Sequence, residues 1–580
     1  MRSKLLSTLS IKKLSIRYIH ILLLLCLIFF ITASHILYVL KTYQYPQWDE
    51  NVYLQYAVDY LPILKNPSPF FWGDILEITK HRQPFYPLFI SIPLLFFGTA
   101  HAYKIALLMN GIFYAISILF TYLLARQFFG RLPSFLASYM FAFYGFPLFY
   151  LHFALQETTV TAFTTAALFF LAKSVKSSTR RNTVLFSLAA GIGTLVRWAV
   201  PIFLIGPFLS IILRIPKSEV FKHIIIIFFV GILPVVLLYY YPNLSHFLGY
   251  AEANRVGGSQ WAPDPIKNPF SKSSLIWYAS ALAQQTIFFW VLFIAGFLLS
   301  LVHYKKYIFL LLAFIIPYLF LTFGSAWKDD RFIVPLYPTM ALMSTVVIQK
   351  LHKKKFKIMV IILILLLGFL NFLGASWGIG PMKFSIHGNR YTVPHSIIVP
   401  MPIGHPRRVW LAPISWPPRS NEGNSDLILK TVLEDNKNNK KPNVLLTFTI
   451  PQIEGPLYKI VLYEQRDLIN LRALWGFEAN DLPTLFERIK NADYILIKEG
   501  GAFDDQFDDQ PDLLQTFNET IKNRGLKLPH GFTKIETVEI PFDNSKVVIY
   551  KKTREITKEE WEIFANSFIS EDKNQANPFK

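Results

Sequence analysis

The tripeptide Trp48-Asp49-Glu50 begins eight residues after an apolar run from Ile21 to Leu40, and its two carboxylates are the first acids in a 580-residue chain. A carboxylate at a low-dielectric boundary holds a proton more tightly than one in water, so it can act as a general base near neutral pH. The plainer reading is a loop turn in which Glu50 caps a helix lying flat at the membrane surface. Glu157, in Leu155-Gln156-Glu157-Thr158, is the second acid of interest. It can simply favour the positive end of a helix dipole. Alternatively, it shares a pocket with Asp49, one acid taking a proton while the other orients a sugar or a cation.

The cations that matter stand beside acids or at the ends of apolar runs: His81 and Arg82, Arg197, and Lys328 with Arg331 in Lys328-Asp329-Asp330-Arg331. Arg matches phosphate through its planar fork and Lys as a point charge. Snorkelling, or ion pairing with Asp329 and Asp330, is the alternative for Lys328 and Arg331. His81, His101 and His152 are scattered singly, and no metal is assigned to them. Asp49, Glu50 and Glu157 could hold a divalent cation through oxygen ligands, although nothing in the sequence requires one.

These side chains need a membrane scaffold to position them. The chain is 53% hydrophobic and 16% aromatic, too apolar for a soluble globule. Its net charge of +20 comes from Lys and Arg in short gaps between apolar runs, the pattern that orients spans rather than one that binds nucleic acid. The single cysteine, Cys26, rules out disulfides and cysteine-ligated metals within one chain. Eleven apolar segments between Ile21 and Gly374 predict about eleven spans, the pair flanking Arg197 being short for crossing a bilayer. The first is a retained anchor with a cytoplasmic N-terminus, so an odd count puts the C-terminus outside. Of the eleven acids before residue 378, only Glu219 then falls on the cytoplasmic side, which implies a polar working face across the membrane.

That count requires Pro84 to Phe97 to remain interfacial or re-entrant, because Pro84, Pro87 and Pro93 break it and it is short. Residues 41–103 thus form a large first outer loop. Residues 1–377 form the membrane domain, and residues 378–580 read as a soluble, extracytoplasmic α/β domain. Strands are expected at Val444–Ile450, Tyr494–Lys498, Thr533–Ile540 and Lys546–Lys551, with helices near Asp426–Asp435, Pro483–Lys490 and Leu513–Arg524. The last ten residues read as disordered.

From Ile21 to Ile348 the chain resembles the GT-C glycosyltransferases, most closely the protein O-mannosyltransferase and lipid A aminoarabinose transferase branch. The resemblance rests on the Asp49-Glu50 pair in the first outer loop, a basic residue before a proline-led stretch, an acid in the second outer loop, and the Arg331-x-x-x-Pro335-x-Tyr337-Pro338 run opening a late span. It implies a polytopic α-helical transferase of the plasma or inner membrane. Such an enzyme takes a sugar from a polyprenyl-phosphate donor and passes it to a lipid, glycan or protein acceptor. By the same resemblance Asp49 is the base, Glu50 its partner and Glu157 the second-loop acid. Arg82 and Arg331, with Lys328, hold the lipid phosphate or the pyranose, and His81, Arg197 and Tyr337 join the substrate-binding set. His81-Arg82-Gln83-Pro84 departs from the usual two prolines or Lys-Pro, and Glu157 stands where Asp is usual. The rival reading is a transporter or flippase for a lipid-linked saccharide, with the acids as a proton or cation site.

Overall fold

Inside hydrocarbon every backbone N–H and C=O needs an internal partner, so apolar runs of this length can persist only as helices. A computed structural model describes residues 2–42, 46, 48–80, 82–177, 180–212, 217–249, 270, 277–279, 281–282, 287–324, 329–379, 382–386, 389–393, 396–399, 407–410, 424–436, 441–448, 457, 468–473, 482–500, 517, 521, 528–541 and 544–572. Two compact units emerge: residues 1–42, 56–97 and 103–418, and residues 43–55, 98–102 and 419–580.

The expected apolar segments appear as helices in the first unit; in the one that contains Ile287–Val302, residues 275–276, 280 and 283–286 lie outside the described set. Among the described residues six helices are long and apolar enough to cross a membrane: Ile19–Lys41, Thr99–Ala125, Glu219–Tyr240, Tyr304–Phe323, Asp330–Lys350 and Lys354–Trp377. A seventh is reached if Arg131–Phe143 and Gly145–Leu151, bent by 56° at Tyr144, are one span. The pair flanking Arg197 forms the helices Arg180–Val196 and Val200–Ile212.

The prolines after Arg82 do not have the expected effect. Phe85–Phe97 is one 13-residue helix that contains Pro93. Pro87 lies in its first turn, where a missing N–H leaves no intrahelical bond unmade. Shortness, not breakage, is what keeps this helix below spanning length. Pro234 has more effect, because the chain widens into π-helical turns on both sides of it, Ile227–Ile232 and Val236–Tyr240. Gly231 sits where this helix meets Arg180–Val196, and a Cβ there would come within 3.2 Å of the Ser187 carbonyl oxygen.

Two hairpins, β1–β2 (Met382–Ile386, Asn389–Val393) and β3–β4 (Ser396–Val399, Arg407–Trp410), follow the last long helix. The second lies in the Pro-rich stretch Pro394–Pro418, whose composition concealed it. In the second unit a five-stranded sheet has the order β6-β5-β7-β9-β8. Its strands are β5 (Asn443–Leu446), β6 (Asn470–Ala473), β7 (Tyr494–Glu499), β8 (Phe532–Ile540) and β9 (Ser545–Lys552). The first three neighbours are parallel and β9 is antiparallel to β7 and β8. One core, with Ile428, Leu429 and Val432 of helix Ser425–Asp435, covers one set of strand side chains; a second, with Leu485, Ile489 and Phe564, covers the alternate set. Alternation along a strand sends successive residues to opposite faces, and both are buried here. The helix expected at Leu513–Arg524 falls largely outside the described residues. At the C-terminus, where disorder was expected from 571, the helix Lys558–Asp572 reaches Asp572 and the remainder lies outside them.

Candidate active site

Glu157 is the first residue of the helix Glu157–Ser177 and only 1% of it is exposed. The preceding turn is fixed by packing: the His152 ring lies on Tyr38 at 3.7 Å between centroids, and its Nε2 is 3.1 Å from Ser376 Oγ. Asn110 Nδ2 donates to the Phe153 carbonyl oxygen in the same turn. The carboxylate is thus placed by contacts to three other helices.

Arg197 follows the last residue of helix Arg180–Val196, where the negative end of the helix dipole favours a cation. Its backbone N–H still donates to Gly193 O at 2.8 Å, which holds it on the helix axis. Its Nη1 donates to Glu157 Oε1 at 2.9 Å. Arg331 comes from the short 3₁₀ segment Asp330–Leu336, capped by Asp329, whose Oδ1 accepts from the Arg331 backbone N–H at 3.0 Å. Asp329 Oδ2 lies 2.7 Å from Arg331 Nε, so one carboxylate fixes both backbone and side chain. Arg331 Nε also stands 3.9 Å from Glu157 Oε1. One buried carboxylate oxygen therefore faces two guanidiniums.

Burial holds the Glu157 carboxyl above its ordinary value, while Arg197 and then Arg331 pull it back down. Its second oxygen, Oε2, is buried without a hydrogen-bond partner among the described residues. Exposure is distributed unevenly: the Glu157 side chain is 1% exposed, against 12% for Arg197 and 19% for Arg331. The acid is sealed and the cations are partly open. Arg197 gives one of a guanidinium's five N–H donors to Glu157 and, among the described residues, its side chain makes no other hydrogen bond. Such a fork suits a phosphate. Among the described residues no group of three or more His, Cys, Asp or Glu could hold a metal ion.

Phe332, the unnamed position after Arg331 in the run that opens a late span, contributes a ring face 4.5 Å from the Arg197 guanidinium carbon and 5.7 Å from that of Arg331. Its position next to Arg331 was the available signal. Tyr150 and Tyr278 stand within electrostatic reach of Asp329 and Asp330, and nothing local in the sequence announced them.

The other expected residues are placed as follows. Asp49 and Glu50 occupy the first turn of helix Trp48–Lys65, Asp49 half-buried and Glu50 1% exposed, and both belong to the second unit. Arg82 is half-buried, its N–H donating to Thr79 O at 3.3 Å. Tyr337, fully buried, packs at 5.4 Å on Tyr144 and 6.4 Å on Phe146. His81 and Lys328 lie outside the described residues. Of the expected set, the structure brings together Glu157, Arg197 and Arg331, and it answers the question of pairing for Arg331 with Asp329.

Among solved structures, ArnT from Cupriavidus metallidurans bound to undecaprenyl phosphate superposes with a TM-score of 0.52 over 91% of this chain and 97% of that one, at 10% sequence identity. The fold is GT-C. The oligosaccharyltransferase of Archaeoglobus fulgidus, tethered to an acceptor peptide containing an NVT sequon, shares it at a TM-score of 0.50 and 12% identity, covering 83% of this chain and 69% of that one. No protein-family model matches the chain, and no curated protein matches it in sequence. The GT-C likeness is thus one of backbone architecture, at identities too low to carry residue roles across.

Proposed function

We propose that this protein is an integral membrane glycosyltransferase that moves a sugar from a polyprenyl-phosphate donor to an acceptor hydroxyl on the extracytoplasmic face. The observation that carries this reading is the pair of partly open guanidiniums of Arg197 and Arg331 held by a sealed carboxylate within a GT-C fold. A lipid phosphate has the charge and geometry they complement. That both named neighbours handle a lipid phosphate or a glycosyl acceptor supports the same class of chemistry. On this reading residues 1–377 are the catalytic membrane domain, with about eleven spans and a cytoplasmic N-terminus, and residues 378–580 are an outer domain.

Asp49 takes the proton of the acceptor hydroxyl, and the resulting oxygen attacks the anomeric carbon. The bond from that carbon to the phosphate oxygen breaks, and polyprenyl phosphate leaves with the electron pair, inverting the configuration. Arg197 and Arg331, with Arg82 and Lys328, stabilise the charge that develops on the leaving phosphate, the kind of preorganised electrostatic effect that dominates many enzymes. Glu50 supports Asp49, and Glu157 holds the arginines rather than exchanging protons with substrate, because it is sealed from solvent. No nucleotide is required. The Asp49→Asn variant should lose about 100-fold or more in turnover, the scale of general-base catalysis, while still binding undecaprenyl phosphate. Undiminished turnover would remove Asp49 from the mechanism.

A transporter for a lipid-linked saccharide is the second reading. The 56° bend at Tyr144 favours it, since discontinuous helices line transport sites. Transport of lipid across vesicles without a new glycosidic bond would establish it.

A further inference from the structure

Arg197 and Arg331 reach the same ring from different parts of the chain. The Phe332 centroid lies 4.5 Å from the Arg197 guanidinium carbon, the distance of a close cation–π contact, and 5.7 Å from that of Arg331. Phe332 is itself fixed by backbone, its N–H donating to Asp329 O at 3.1 Å inside the segment that Asp329 caps. Arg197 therefore has two constraints of different kinds: an ionic bond at Nη1 to Glu157 and a ring against its carbon centre. A single ionic bond leaves a guanidinium free to swivel about the N···O axis. A ring face removes that freedom, because it favours one side and one tilt of the planar group.

We propose that Phe332 is a positioning residue whose ring orients the Arg197 guanidinium, and secondarily that of Arg331, so that both present N–H edges to one lipid phosphate. This rests on the phosphate-binding reading above and adds to it a residue that bears no charge and forms no bond to the substrate. Its specific consequence is that ring character, rather than bulk, sets phosphate affinity. Leucine fills much of the same space without a quadrupole, whereas tyrosine keeps the face.

The test measures binding of undecaprenyl phosphate to the purified full-length protein in detergent micelles, with thermal unfolding of each variant in parallel. Phe332→Leu should weaken binding about 10-fold, whereas Phe332→Tyr should stay within about 2-fold of the parent. In an R197A background Phe332→Leu should cost no more than about 3-fold, because the group it orients is gone. Should Phe332→Leu fail to fold, Phe332→Met, which is more accommodating in packing, takes its place. Equal binding by the Leu and parent proteins, failure of Tyr to restore binding, or a full 10-fold loss in the R197A background would each overturn the role of the ring. If the parent protein does not bind undecaprenyl phosphate at all, the phosphate reading itself falls and takes this role with it. A parent that binds, beside a Leu variant that binds equally well, removes only the role of Phe332.

Discussion

Removing Arg197 tests whether the Glu157 cluster is an energetic unit. In Arg197→Ala the buried Glu157 loses its 2.9 Å partner and keeps only Arg331, at 3.9 Å. Breaking a buried ion pair by deleting one member typically costs about 3–5 kcal/mol. An upper limit comes from protonation: at about 1.4 kcal/mol per pH unit, neutralising a carboxyl of ordinary pKa about 4.3 at pH 7 costs roughly 4 kcal/mol. Arg331 remains, so about 2–3 kcal/mol is expected. Glu157→Gln leaves Arg197 partly open to water and on Phe332, and should cost about 1–2 kcal/mol. With both changes made, no unpaired buried charge remains at this contact, so the double variant should fall short of the sum by about 1.5 kcal/mol or more. Reversible unfolding of the four proteins in mixed micelles measures this coupling. Additivity within about 0.5 kcal/mol would refute the argument that Arg197 neutralises Glu157 in the folded protein.

Two further predictions concern scaffold and outer domain. A Cβ at Gly296 would press into the Met343 carbonyl oxygen of the neighbouring helix, so Gly296→Ala should destabilise by about 1–3 kcal/mol, read as a lower unfolding midpoint, with Leu298→Ala on an exposed face as the near-neutral control. In the second unit Arg554 and the Thr557 backbone N–H hold Glu560 at about 2, below its ordinary value. Its folded-state value is depressed, so its stabilising effect is present above the ordinary carboxylate range and is lost as pH falls toward about 2. An acid titration of Glu560→Gln should lack that part of the transition, and an unchanged acid limb would contradict the assignment.

The scaffold was largely legible because a long apolar run in a bilayer has one structural solution, and its length can be counted. Four strands were legible for the same kind of reason: Tyr494–Glu499 and its neighbours are short, β-branched and bounded by turn residues. β6 was not, since Asn470-Leu471-Arg472-Ala473 has weak strand preference and is held by pairing to β5. Proline misled at Phe85–Phe97, where its position in the turn mattered more than its presence. At the site, Glu157, Arg197 and Arg331 could each be picked out as charged residues at the ends of apolar runs. Their meeting could not, because Arg197 reaches Glu157 across forty residues by helix packing. The role of Phe332 was hidden too, since an aromatic at the start of a span is ordinarily a packing residue.

The most direct measurement is to incubate the purified protein with labelled polyprenyl-phosphate sugars and membrane acceptors, and to follow donor and acceptor masses together. Transfer predicts that a lipid, glycan or protein gains one sugar while an equal amount of polyprenyl phosphate is released, and that Asp49→Asn slows both by about 100-fold or more. Donor consumed or moved across the membrane without any acceptor gaining mass would contradict glycosyl transfer.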